Sequence, residues 1–226
     1  MRLIGLAAAA ALIALVATPT AAARESDQTD LLRDATRTAE NMNRDPSFDQ
    51  ARKMLRGARA VLIVPALVKG GFIFGGEGGD GVLLARTGGK RGWSDPAFYT
   101  LVGGSFGLQI GLEKAEIVLL LMSDRALRAV ERAQFKFGAG AGLTVVTLSG
   151  GAEGATAPNL SGDIVVWTSA TGAYGGLTLN GTVIKSRDET DENFYNRPGI
   201  KVPQILAGRV HNPQANALRE EVSSVY

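Results

Sequence analysis

Residues 103–112 read GGSFGLQIGL, and the fold turns on whether this stretch is a strand or a catalytic turn. Phe106, Leu108, Ile110 and Leu112 recur at every second position, with Ser105, Gly107, Gln109 and Gly111 between them. A period of two is the mark of a half-buried strand. The first five residues also spell G-x-S-x-G, the nucleophile-elbow pattern of serine hydrolases. That elbow requires a strand, a sharp turn at the serine and then a helix. The alternation here runs straight through Ser105 to Leu112, so Ser105 is read as a strand residue. The single histidine, His211, sits in RVHNP beside a helix start and is read as a cap-region residue. A hydrolase built on Ser105 and His211, with Asp163, Asp188 or Asp191 between them, is the least favoured alternative. No catalytic residue is assigned.

The same alternation recurs. FKFGAGAGLTV (135–145) places Phe135, Phe137, Ala139, Ala141, Leu143 and Val145 on one face, and GGLTLNGTVI (175–184) sets Leu177, Leu179 and Val183 opposite Thr178, Asn180 and Thr182. The continuous runs VLIV (61–64), GVLLA (81–85), IVLLL (117–121) and DIVVW (163–167) read as strands buried on both sides. Glycines aligned on one face of successive strands imply strong curvature or close cover. Helical spacing appears at the start of the chain, where Leu32, Ala35, Ala39 and Met42 share one face, followed by Phe48, Ala51, Leu55 and Ala58. SDRALRAVERAQ (123–134) is a middle helix capped by Ser123 or Asp124. The tail is a closing helix with Asn212 as cap, Pro213 in its first turn, and Leu218, Val222 and Val225 inward. The expected fold is α+β: a strongly curved, mostly antiparallel, Gly-rich sheet or partial barrel with N-terminal, middle and C-terminal helices.

The first 23 residues carry one cation, Arg2, an apolar run from Leu3 to Ala17, a Thr18-Pro19 break and the small residues Ala21-Ala22-Ala23. This reads as a secretory signal peptide cut after Ala23, leaving residues 24–226 as one domain with a helical arm over 24–59. The expected location is the periplasm, with peripheral contact to a membrane face. The chain has no Cys, which removes disulfides and thiolate metal sites. Its formal net charge of +2 is too small for a general nucleic-acid binder.

GGEGGDG (75–81) contains G-x-G-x-x-G, but a strand follows it where a dinucleotide site needs a helix N-terminus, so it reads as a tight hairpin turn. Glu77 and Asp80 are two carboxylates without further oxygen ligands, a weak cation site. No cofactor or metal is expected. The basic residues carry more. Arg52, Arg56 and Arg59 fall at helical spacing as one stripe, and GGKRGWSDPAF (88–98) sets Lys90 and Arg91 beside Trp93. A cationic loop with Trp suits a phospholipid headgroup region.

Several blocks together resemble the SYLF domain family: LIVPALVKGGFIFGGEGGDGVLLAR (62–86), GWSDPAFYTLVGGSFGLQIG (92–111), EIVLLLMSDRAL (116–127), FKFGAGAG (135–142), DIVVWTSATGAYGGLTLNGTVI (163–184) and DETDENFYN (188–196). The resemblance is best from about Ala58 to Tyr195. It implies a non-catalytic, lipid-binding module. Lys69, Lys90 and Arg91 are then expected to approach headgroup phosphates, with Trp93 at the interface and Arg52, Arg56 and Arg59 adding attraction. The partner implied is a phospholipid or membrane surface. Fungal members bind actin, but an exported chain is expected not to meet it. A structural envelope protein that binds an unidentified protein partner is the alternative.

Overall fold

A computed structural model describes residues 21–44, 46–71, 74–88, 92–106, 111–132, 134–138, 143–149, 162–168, 179 and 181–224. Its centre is an eight-stranded sheet: β1 (Ala60–Gly71), β2 (Phe74–Ala85), β3 (Ala97–Phe106), β4 (Gly111–Leu121), β5 (Gln134–Lys136), β6 (Val145–Ser149), β7 (Ile164–Thr168) and β8 (Val183–Ser186). The strand order is β5-β8-β3-β2-β1-β4-β7-β6, antiparallel except for the β6–β7 pair. The sheet is curled and joined by helices, the α+β architecture expected.

The double-sided burial of the apolar runs has a direct structural cause. Ala60, Leu62 and Val64 of β1 enter one core, with Leu83, Tyr99, Leu119 and Ile164, while Val61 and Ile63 enter a second on the opposite face, with Leu84, Phe98, Leu120 and Val165. The second core is closed by α1 (Ala21–Arg44), α2 (Asp49–Leu55) and α6 (Asn216–Ser223), and α4 (Asp188–Phe194) adds Phe194. Leu32, Ala35, Ala39 and Met42 of α1, and Phe48, Ala51, Leu55 and Ala58 around α2, are all buried there, as their spacing requires. The first core is closed by α3 (Asp124–Val130), α5 (Val202–Leu206) and the buried Phe135 and Phe137.

Curvature is set at Pro65. Proline cannot donate to a ladder, and the β1 register slips between Ile63 and Val68 against β2 and between Val64 and Leu67 against β4. The displaced backbone leans over β2, where a Cβ on Gly81 would lie 2.7 Å from the Ile63 carbonyl oxygen. Only glycine fits beneath the bulge. Local caps agree with the sequence: the Ser123 hydroxyl accepts from the Ala126 amide, and the Asn212 side chain accepts from the Gln214 amide ahead of a 3₁₀ turn at Pro213–Ala215. Leu218 and Val222 are buried, whereas Val225 lies outside the described residues.

Four expectations need correction. GGEGGDG is no hairpin turn; it runs inside β2, because its glycines serve the curvature rather than chain reversal. The 103–112 stretch is not one strand: β3 ends at Phe106, β4 starts at Gly111, and 107–110 lie outside the described residues. The strand expected over 135–145 breaks at Gly138, whose φ of +79° turns the chain. Its two ends become β5 and β6, at opposite edges of the sheet. In 175–184, residues 175–178 and 180 lie outside the described residues; β8 begins at Val183, after Gly181 at φ +88°, and Leu179 and Thr182 are both buried rather than opposed. The polar block DETDENFYN forms α4, and α5 also went unforeseen.

Candidate binding surface

Strands β1 to β4 run on beyond Pro65, past the part of the sheet that the helices cover. The register there defines rows of side chains. On the face toward the first core, Lys69 lies opposite Glu77 of β2, and Glu77 lies opposite Gly103 of β3. Glu77 is 8% exposed, and Thr182 donates to its carboxylate at 2.5 Å. That bond passes over Gly103, whose missing side chain makes room: a Cβ there would sit 2.5 Å from Glu77 Oε1 and 3.0 Å from Thr182 Oγ1. Lys69 is half-buried beside this bridge.

Among the described residues, the other face of the same strands is bare. One row reads Lys136, Val183, Val102, Gly78, Val68, Lys114 across β5, β8, β3, β2, β1 and β4. Val68 and Val102 are 36% and 38% exposed, and Lys114 and Lys136 are exposed. The adjoining row carries Gln134, Lys185, Thr100 and Asp80. Asp80 is neutralised by Arg187 at 2.8 Å and accepts from Thr100. At the edge of the helical cover, Thr38 and Asn41 of α1 donate to Glu116 of β4. Lys114 borders a 240 Å³ groove between α1 and the β1 bulge.

The residues expected from sequence to meet lipid are not gathered in one place. Lys90 and Arg91 lie outside the described residues. Trp93 is only 1% exposed and belongs to the second core, with the Arg86 guanidinium 4.4 Å above its ring and Arg219 donating to its carbonyl at 3.2 Å. An indole so enclosed cannot sit at an interface, and Trp93 leaves the candidate set. Arg52, Arg56 and Arg59 do not form one stripe, because α2 ends at Leu55. Arg52 turns inward, pairing with Asp49 and donating to the Met42 and Asn43 carbonyls at the C-terminus of α1. Arg59 pairs with Asp124 at 3.1 Å, and Arg56 borders an open groove of about 340 Å³ that also contains Glu221. The lysines of the bare face, Lys114, Lys136 and Lys185, were missed. Each is isolated in sequence, and only the sheet order brings them together.

Ser105 and His211 are not brought together. His211 lies 3.2 Å from Asp95, just before β3, whereas Ser105 is near the far end of that strand. At the rise of a strand the two are roughly 25–30 Å apart. Glu77 and Asp80 face opposite sides of β2, so they do not share a cation. Among the described residues no helix is long and apolar enough to cross a membrane.

A family model described as Ysc84, Las17-binding protein actin regulator, matches residues 102–225. The chain belongs to the Ysc84 (SYLF) family. The family likeness extends to relatives of known name. SH3 domain-containing YSC84-like protein 1 of Xenopus laevis is 33% identical over 172 residues, 72% of this chain and 49% of its own. Protein YSC84 of Saccharomyces cerevisiae is 30% identical over 166 residues, 72% of this chain and 35% of its own. LAS seventeen-binding protein 3 of the same yeast is 28% identical over 166 residues. The chain thus spans at most about half the length of these curated relatives. The expectation that actin-linked partners are foreign to this protein does not stand: the Ysc84 family is described by actin regulation, and a relative is named for binding LAS seventeen.

Proposed function

We propose that this Ysc84-family chain is a non-catalytic module that binds anionic phospholipid at a membrane surface after export. The observation that carries the reading is the uncovered half of the sheet, where valines are exposed beside cations that no ion pair neutralises among the described residues. Exposed apolar side chains offset the loss of water at a headgroup boundary, and each nearby cation contributes roughly 1 kcal/mol against an anionic leaflet. Flotation with phosphatidylcholine vesicles, with and without phosphatidylglycerol, at low and high salt tests it. Salt-sensitive binding to the anionic vesicles is expected; failure to float with either composition overturns the reading.

A second reading draws on the relatives' names: a protein partner of the actin-regulating kind. Co-sedimentation with filamentous actin separates the two. Sedimentation with actin by a protein that ignores vesicles favours the second.

A further inference from the structure

We infer that the bare part of this sheet face, formed by β1–β5 and β8 beyond the edge of the helical layer, docks on the anionic bilayer. Lys114, Lys136 and Lys185 would be its phosphate-contacting residues, with Val68 and Val102 entering the headgroup boundary. The inference rests on the lipid reading above and names its face.

Two independent features converge there. The first is charge. Lys114 and Lys136 stand at the two ends of the valine row, Lys185 stands in the next row, and the acid that the described residues place in these two rows, Asp80, is already paired with Arg187. The net field is positive, complementary to an anionic leaflet. The second is relief. Gly78 separates Val102 from Val68, and Gly76 and Gly104 continue the surface, so no larger side chain of these rows stands between the valines. The fold does not itself demand glycine here: a Cβ on Gly104 would meet nothing within 4 Å, in contrast to Gly81 and Gly103, which internal contacts require.

The test compares wild type with Lys114→Gln/Lys136→Gln/Lys185→Gln and with Lys53→Gln/Arg56→Gln on the phosphatidylglycerol vesicles. All five side chains are exposed, so circular dichroism and the melting temperature should not move. The triple-lysine variant should bind about 100-fold more weakly, the α2 variant within about 3-fold of wild type. Val68→Ser/Val102→Ser should also weaken binding without lowering salt sensitivity. Wild-type binding that survives the lysine changes but falls with the α2 changes overturns this face while leaving lipid binding intact. A wild type that binds no vesicle overturns both. Loss of actin co-sedimentation, rather than vesicle binding, in the lysine variant would assign the face to a protein.

Discussion

Gly103 shows how much one missing methyl group can hold. Its absence lets the Glu77 carboxylate cross β3 and accept from Thr182, so β2 and β8 are tied across the strand between them. Gly103→Ala would push that carboxylate away and leave a buried acid without its donor. A loss of about 1–3 kcal/mol is expected in urea unfolding. Gly104→Ala is the control: open space surrounds its Cβ, and reduced freedom of the unfolded chain should leave stability equal or up to about 1 kcal/mol higher. Equal effects at both positions would refute the bridge. Asp191 poses a different problem. It is 1% exposed; Oδ1 accepts from the Phe98 amide at 2.9 Å, and Oδ2 has no partner among the described residues. Burial pushes its pKa up to about 8, opposed by the Phe98 bond. A folded-state pKa above the unfolded one favours folding fully below the unfolded value, near 4, and this contribution is lost as pH rises through about 8. Asp191→Asn should flatten that slope. Denaturation at pH 5 and pH 9 should show the variant gaining on wild type at the higher pH, by up to about 4 kcal/mol. A parallel pH profile would mean that the carboxylate is solvated.

At the scale of elements, α1 is held by more than its apolar stripe. Thr38, fully buried, and Asn41 both donate to Glu116 of β4, and Asn43 donates to Glu221 and Ser224 of the C-terminal segment. Glu116→Ala leaves the Thr38 hydroxyl buried without that acceptor. A cost of about 1–3 kcal/mol is expected, with amide exchange accelerating in α1 more than in β1 or β4; uniform acceleration would count against a local clamp. The helices themselves were legible because their apolar faces are strictly periodic: Leu32, Ala35, Ala39 and Met42 are all buried. Elements defined by turns were not. Gly138 and Gly181 break sequences whose alternation looks unbroken, since a positive φ leaves no trace in hydrophobic period. In α4, seven polar and aromatic residues hide a helix whose inward positions are Asp191 and Phe194, a pattern that hydropathy does not mark.

Across the whole molecule, the sheet divides two cores, and this division explains why the site was harder to read than the fold. Alternation assigns residues to a face but cannot say which faces the helices cover. Lys136 of β5 and Lys114 of β4 are brought to the ends of one row by a strand order no local pattern reveals. Trp93 misled for the same reason: beside Lys90 and Arg91 it reads as an interfacial aromatic, yet the chain returns it to the helical core. That placement gives a sharp optical prediction. The chain has two tryptophans, Trp93 and Trp167, at 1% and 2% exposure, both in the core on the helical side. If the protein docks through its bare sheet face, neither indole changes environment on binding. Intrinsic fluorescence should therefore keep its emission maximum and its resistance to acrylamide when phosphatidylglycerol vesicles are added, even where flotation shows full binding. A blue shift or new protection would require a tryptophan to move from its core into lipid. Docking would then involve opening of the helical layer, in conflict with a rigid sheet face as the contact.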